Sequence, residues 1–365
     1  MNLLDFLVPV EELVRRDGPE GCVVISSRVR LARNLEGMPF PGRAKKSDRA
    51  KALERIQEAV AQLPQMEGGL IRQMDSFSSW EKQALVERHL ISREHAANGE
   101  GSGLALSRDQ SVGVMINEED HIRMHALLPG FQLEAAWRAI DELDTLLEER
   151  LDYAFSAKLG YLTACPTNVG TGIRVSAMLH LPGLVFAEQI NQVIQAVNKL
   201  GLAVRGLYGE GTEALGNIFQ VSNQMTLGES EEEILAKLRK VTAQLVEHEQ
   251  NAREALLEKK PRMVFNTVGR AFGTLANAFT ISSKEAINLL SVWRLGVELG
   301  MFPGVPRALA DELLLLCQPA HLQLIRPREM KPEERDILRA DLLRSRLAAV
   351  ARPSLPPNHS DALDK

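Results

Sequence analysis

Short runs of alternating apolar and polar residues occupy the first two-thirds of the chain, and helical periodicity takes over beyond about residue 230. Residues 22–30 alternate and are rich in β-branched side chains, which predicts a strand with Arg28 and Arg30 on one face. Residues 111–117 alternate again, with Val112, Val114 and Ile116 on one side. Residues 173–179 set Ile173, Val175 and Ala177 opposite Arg174 and Ser176, and 217–223 predict a further strand. Amphipathic helices lie between them, such as the one carrying Leu133, Trp137, Ile140, Leu143 and Leu147 on one stripe. The strands are separated irregularly rather than by one helix each. That predicts an α+β fold, a mostly antiparallel sheet with helices packed on it.

Ser230 and Glu233 form a capping box for a long charged helix. After Pro261 nearly everything is helical in period. Ser282 with Glu285 caps a helix whose Leu289, Val292, Trp293, Gly296 and Leu299 share a face, and Pro332 opens a last helix through Arg344. The expected organisation is an N-terminal segment (1–20), a mixed catalytic domain (21–255), an all-helical domain (256–350) and a Pro- and Ser-rich disordered tail (351–365). The apolar richness of the helical part suits either a homodimer contact or an ordinary internal core.

The chain has 365 residues, 45 % of them hydrophobic, enough for one large core and a second, smaller one. A net charge of −5 argues against nucleic acid as a direct partner. No apolar run reaches the length of a membrane span, and the apolar first ten residues are broken by Asp5, which suggests a docking segment rather than an export signal. Cys22, Cys165 and Cys317 are odd in number and far apart, which excludes a disulfide framework and fits a reducing cytoplasm.

Four segments carry candidate chemistry. Ser26-Ser27-Arg28-Val29-Arg30, with Arg33 after it, puts guanidinium forks on a strand, where they suit phosphate oxygens or else ion pairs on a solvated face. Asn117-Glu118-Glu119-Asp120-His121-Ile122-Arg123 is an acidic turn beside an arginine. Cys165-Pro166-Thr167-Asn168-Val169-Gly170-Thr171 is a punctuated loop feeding the strand that bears Arg174. Arg205-Gly206-Leu207-Tyr208-Gly209-Glu210-Gly211-Thr212-Glu213 is a glycine-rich loop able to approach a ligand closely.

Together, and in this order, the stretches SSRVRLAR, NEEDHIR, CPTNVGT and RGLYGEGTEALGNIFQVSN resemble the phosphagen (guanidino) kinases over about residues 21–250. The resemblance implies a glutamine-synthetase-like catalytic fold that uses ATP and Mg2+. It implies that Arg28, Arg30, Arg123 and Arg174 hold the nucleotide phosphates, with His89 beside the base. Further nucleotide contacts fall on Ser27, Val29, Leu31, Val175, Ser176, Arg205, Gly206, Tyr208, Gly209 and Glu210. Glu119 and Glu213 would grip the acceptor guanidinium with Cys165 beside them, and Glu118 would face Mg2+ through water; no direct metal ligand is expected.

The chemistry gives that inventory a reason. A guanidinium offers no free lone pair, and moving its proton to a glutamate before attack would cost roughly 11 kcal/mol, about eight pKa units. Proton removal should therefore accompany N–P bond formation, which two opposed carboxylates promote by orienting the nitrogen and accepting its proton. Arginines and Mg2+ neutralise the transferring phosphoryl group. Covalent catalysis by Cys165 is not required.

The small-molecule guanidino kinases carry a helical domain ahead of the SSRVR strand and an arginine where this chain has Tyr208; Arg205 is the candidate for that missing charge. With about twenty residues ahead of the strand, the acceptor side is expected to be open. The combination with a C-terminal helical part resembles the bacterial protein-arginine-phosphorylating branch of the family. That branch implies protein substrates marked for a Clp unfoldase and protease, an activator protein, and phosphoarginine-bearing proteins as partners. Arg335, Asp336, Arg339 and Ala340, in the stretch RDILRA, then resemble an allosteric phosphoarginine site, for which an exposed helix with internal ion pairs is the alternative. Competing functions are a kinase for free arginine or another small guanidino compound, and a phosphoarginine-binding adaptor.

Overall fold

The computed structural model describes residues 3–206, 214–326 and 328–354. Ten strands run through it: β1 (Val24–Arg33), β2 (Leu70–Gln73), β3 (Gly103–Leu106), β4 (Val112–Ile116), β5 (Ile122–Pro129), β6 (Phe155–Ser156), β7 (Gly160–Tyr161), β8 (Ile173–His180), β9 (Leu202–Gly206) and β10 (Ile218–Asn223). Eight form one sheet in the order β2-β3-β4-β5-β1-β8-β10-β9, every pairing antiparallel, while β6 and β7 make a small hairpin. The α+β expectation holds, and the four alternating segments of the sequence are β1, β4, β8 and β10.

Strand alternation divides the sheet into two chemically different faces. One face, with Val29, Leu31, Met124, Ala126, Ile173, Val175 and Ala177, is fully buried beneath the helices Lys46–Ala61, Leu133–Glu148 and Glu231–Lys259. The predicted stripe of the second of these helices does the covering: Leu133, Ile140, Leu143 and Leu147 are buried, with Trp137 packed at the edge. Arg33, at the end of β1, is a structural strut rather than a ligand donor. Its guanidinium donates to Asp144 and to the Thr171 carbonyl and stacks 3.6 Å from the Tyr161 ring centroid.

The long helix starts with the predicted capping box, Glu233 N donating to Ser230 Oγ and Ser230 N to Glu233 Oε2. It runs to Lys259, and Pro261 opens the next helix, Pro261–Asn277. The following helices build a second core around Val268, Leu290, Trp293, Leu313 and Leu343. In the helix Ser283–Glu298 the buried side centres on Ala286, Leu290 and Trp293, with Leu289 and Val292 at its flank.

Two buried polar ties join these helices to the rest of the fold, one at the sheet and one at the end of the helix Ser79–Glu87. Arg294 donates to the Gly21 and Cys22 carbonyls and meets His180 Nδ1 at 3.0 Å. Glu87 accepts from Ala320 N and His321 N at the start of the helix Pro319–Leu324. The apolar N-terminal segment is docked, with Leu3, Phe6 and Leu7 in a third cluster around Met74, Leu85 and Leu104. No helix of the described residues is long and apolar enough to cross a membrane.

Candidate active site

The uncovered face of the sheet carries a band of guanidinium groups. Arg28 and Arg30 share it by alternation on β1, and Arg30 lies directly across from Arg174 on one side and His125 on the other. Ala32 pairs with Arg123, which puts that arginine on the same face, and Ser176 pairs with Arg28. Alternation divides the expected nucleotide set by side-chain face. Ser27, Val29, Leu31 and Val175 turn their side chains to the opposite side, where the last three are core and Ser27 Oγ donates to the Gly130 carbonyl at 2.8 Å. Arg205 pairs with Gln220, which pairs with Met178, so it stands on the arginine face three strands from β1. Gly206 ends β9, and Tyr208, Gly209, Glu210 and Glu213 lie outside the described residues.

This band is under electrostatic stress. The Nε atoms of Arg28 and Arg30 are buried without a hydrogen-bond partner. Burial, reinforced by the charge of Arg123, lowers Arg28 to about 10. Burial and the combined repulsion of Arg123, Arg28 and Arg174 push Arg30 well below its usual value. Glu118 is the carboxylate that relieves them. Burial would raise its pKa, but Arg123, donating to its Oε2 at 2.6 Å, and the Ser92 hydroxyl hold it below the usual range. Arg174 donates to the Asn223 carbonyl at 2.7 Å and to Asn168 Oδ1 at 3.4 Å. A face of desolvated, mutually repelling cations with spare N–H groups is matched to a polyanion.

An apolar recess adjoins the cationic band on the same face. A cavity of about 350 Å³ is lined by Ser26, His89, Leu127, Met178 and Ile218 among others. His89 has φ +59 and is kept neutral by burial and by Arg28, its pKa near 4. The recess has room for a flat heteroaromatic group, and His89 in its lining lies near enough to Arg28 to feel that charge.

At the other end of the band the NEED turn and the Cys165 loop are tied together. Glu119 is 45 % exposed at its side chain and 3.9 Å from Arg123. Burial, then Asp120, raises its pKa against the pull of Arg123. Asp120 is the tether: its Oδ1 accepts from Ala164 N at 2.7 Å and from Asn34 Nδ2 at 2.6 Å. Asn34 in turn accepts from His121 N, so β1, the turn and the loop share one buried polar knot. Cys165 is half-buried, with Sγ 3.1 Å from Thr167 Oγ1. Arg123 is thus a neighbour of Glu119, and Asp120 ties the turn that carries Glu119 to the loop that carries Cys165.

Several contributors were missed from sequence. Asp120 belonged to a quoted motif and Asn34 directly follows one, but both face inward, where only tertiary contacts reveal their part. His125 is fully buried opposite Arg30 with both ring nitrogens unpartnered, and burial together with Arg28 keeps it neutral. It lies in β5, a segment that the alternation pattern did not single out.

The RDILRA stretch behaves differently from the expected exposed pair. Arg339 is 1 % exposed and donates to the Cys317 and Ile281 carbonyls and to Asp336, while Ala340 is core. Arg335 instead stacks over Trp80, 5.1 Å from the ring centroid, and donates to the Met330 carbonyl.

The family model of the ATP:guanido phosphotransferase C-terminal catalytic domain matches residues 51–252. The chain belongs to the ATP:guanido phosphotransferases. A second model, the protein-arginine kinase McsB C-terminal domain, matches residues 261–358. The protein-arginine kinase of Halothermothrix orenii is 48 % identical over 334 residues, covering 92 % of this chain and 95 % of that one. The protein-arginine kinase of Bacillus subtilis is 46 % identical over 336 residues, 92 % of each. Among solved structures, a lombricine kinase superposes with a TM-score of 0.58 at 25 % identity, covering 69 % of this chain and 71 % of that one. As a guanido phosphotransferase the chain is an ATP-using enzyme, which fits the cationic band and its apolar neighbour.

Proposed function

We propose that this enzyme transfers the γ-phosphoryl group of Mg·ATP to arginine side chains of proteins. The observation that carries the reading is the juxtaposition of the stressed band, Arg28, Arg30, Arg123 and Arg174, with Glu119 through the shared neighbour Arg123. The relatives' names support arginine in proteins as acceptor over a free guanidino compound.

In this reading the four arginines neutralise the phosphate oxygens, and His89 with the apolar recess receives the base. Mg2+ enters with the nucleotide; no cluster of three metal-ligating side chains occurs among the described residues. Glu118, bonded to Arg123 and Ser92, has lone pairs left for a water-bridged contact with it. Glu119 orients the acceptor guanidinium in line with the γ-phosphorus and takes its proton as the N–P bond forms. Its raised pKa makes it a stronger base than an ordinary glutamate, reducing the roughly 11 kcal/mol mismatch. Glu213 is the proposed second carboxylate. Cys165 adds a polar contact beside the acceptor without forming a covalent intermediate.

The catalytic part (21–255) works with the helical part (256–350), which bears the proposed phosphoarginine site at Arg335, Asp336, Arg339 and Ala340. Because Arg339 is already committed to three internal acceptors, ligand binding there would have to exchange those bonds. A cytoplasmic setting, a homodimer, an activator protein and delivery of marked proteins to a Clp protease follow from the resemblance alone.

The test is incubation with Mg·ATP and a generic unfolded protein, or free arginine, followed by phosphosite mass spectrometry under conditions that preserve N–P bonds. Phosphoarginine on the protein is expected. Robust transfer to free arginine with none to protein would establish the small-substrate kinase, and binding of phosphoarginine without transfer the adaptor.

A further inference from the structure

One rung of the sheet runs from an apolar end to a cationic one. Leu106 of β3 pairs with Gly113 of β4, Gly113 with His125 of β5, His125 with Arg30 of β1, and Arg30 with Arg174 of β8. Leu106 belongs to the third cluster, with Met115 and Leu85, so His125 stands at the seam between that cluster and the arginine band. The imidazole has room because β4 sets a glycine beside it: a Cβ on Gly113 would lie 2.5 Å from His125 Cε1 and 2.9 Å from Nε2.

His125 is fully buried, and neither Nδ1 nor Nε2 has a hydrogen-bond partner. A buried imidazole with an idle N–H and an idle lone pair is unfavourable, and no step of the transfer proposed above uses it. The charges that act on it all have one sign: Arg28 and Arg30 from β1, and Arg123 from its own strand. From the other side β4 and β3 meet it with Gly113 and Leu106. Glu118, the carboxylate of the band, is bonded to Arg123 and Ser92. Burial first, and then the three cations, push the His125 pKa well below its usual value.

A polyanion on the three guanidinium groups replaces that repulsion by attraction. Resting on the phosphate reading given above, we propose that His125 is a proton-linked positioning residue of the nucleotide site. It takes a proton from solvent onto its unprotonated ring nitrogen as the phosphates settle on Arg28, Arg30 and Arg123, and returns it when the nucleotide leaves. The imidazolium acts through the arginines, as one more positive charge beside them. The sign of the linkage follows: the ring holds its proton more tightly in the complex than in the free protein, so nucleotide affinity rises as pH falls.

Calorimetric titration of the full chain with Mg·ADP at about pH 6.5, in two buffers of different ionisation enthalpy, counts the protons taken up. The wild type should take up about half to one proton per nucleotide more than His125→Gln, which stays polar but cannot be charged. The nucleotide's own phosphate titrates alike in both proteins and cancels. His89→Gln, which removes the other neutral histidine near Arg28, should keep the wild-type count. Between about pH 7.5 and 6.5 the wild-type Kd should fall about three- to tenfold relative to His125→Gln. If the glutamine variant does not fold, carbon-13-labelled histidine in the otherwise unchanged chain reports the same event. One of the eight histidine Cε1 signals, still present in His89→Gln, should move to the imidazolium position on adding Mg·ADP. Equal proton counts in the wild type and His125→Gln, loss of the uptake in His89→Gln, or no histidine signal moving would overturn the proton link and leave the phosphate site standing. A wild type that binds no nucleotide would overturn the phosphate reading and the proton link together.

Discussion

Replacing Arg28 by methionine should stabilise the nucleotide-free enzyme and remove its response to ATP. In the free protein burial, then Arg123, lowers the Arg28 pKa from its usual value to about 10. A base whose folded pKa lies below its unfolded value destabilises the fold wherever it must stay charged. Here the penalty is complete below about pH 10 and fades above it, as the folded group sheds its proton. At about 1.4 kcal/mol per pH unit the shift amounts to about 3 kcal/mol. Arg28 is partly exposed, and methionine keeps its apolar stem. Solvent screening then leaves a net gain of about 1–2 kcal/mol, a rise in Tm of a few degrees for a chain of this size. The assay is thermal unfolding at pH 8 with and without Mg·ATP. At a hundredfold excess over Kd the wild type should gain about 2.7 kcal/mol from the nucleotide and the variant almost nothing. A variant that melts below the wild type without ligand, or one that shifts equally with ATP, would refute the claim that these cations are held in readiness for a polyanion.

Glu119→Gln should lower kcat by about 10²–10⁴-fold with little change in nucleotide affinity. Because the carboxylate must be ionised to accept a proton and its pKa is raised, wild-type kcat should fall on the acid side through a value above 4.5; a pH–rate profile flat down to that point contradicts the assignment. Asp120→Ala strands Ala164 N and removes one of the two acceptors of Asn34 Nδ2, which should cost about 2–4 kcal/mol in denaturant unfolding and speed alkylation of Cys165. Cys165→Ala should retain activity within about 10- to 100-fold of wild type, and complete loss at intact nucleotide affinity would restore a covalent role. Arg339→Ala leaves two carbonyls and Asp336 unpaired and should destabilise the helical region by about 3–5 kcal/mol. Unchanged denaturant unfolding would mean that its guanidinium is free to serve a ligand.

Much of the site was legible because its motifs are local. The alternation of 22–30 put Arg28 and Arg30 on one face before any partner strand was known, and the capping residues Ser230 and Ser282 marked helix starts that the structure keeps. The same alternation turns the side chains of Ser27, Val29 and Leu31 away from the arginine face, leaving only their backbone to it. The strand carrying Arg123 and His125 escaped notice because a run buried on both faces lacks a clear period.

By itself the amino-acid order determined the elements, their faces and the chemical types brought to them, since dihedral preference, side-chain period and capping act over a few residues. Only the tertiary structure decided which arginines meet. Register across β5, β1 and β8 joins positions nearly 150 residues apart. It likewise decided that Asp120 ties the NEED turn to the Cys165 loop and that Arg339 points into a core. Those facts depend on long-range packing and desolvation, which no local pattern encodes.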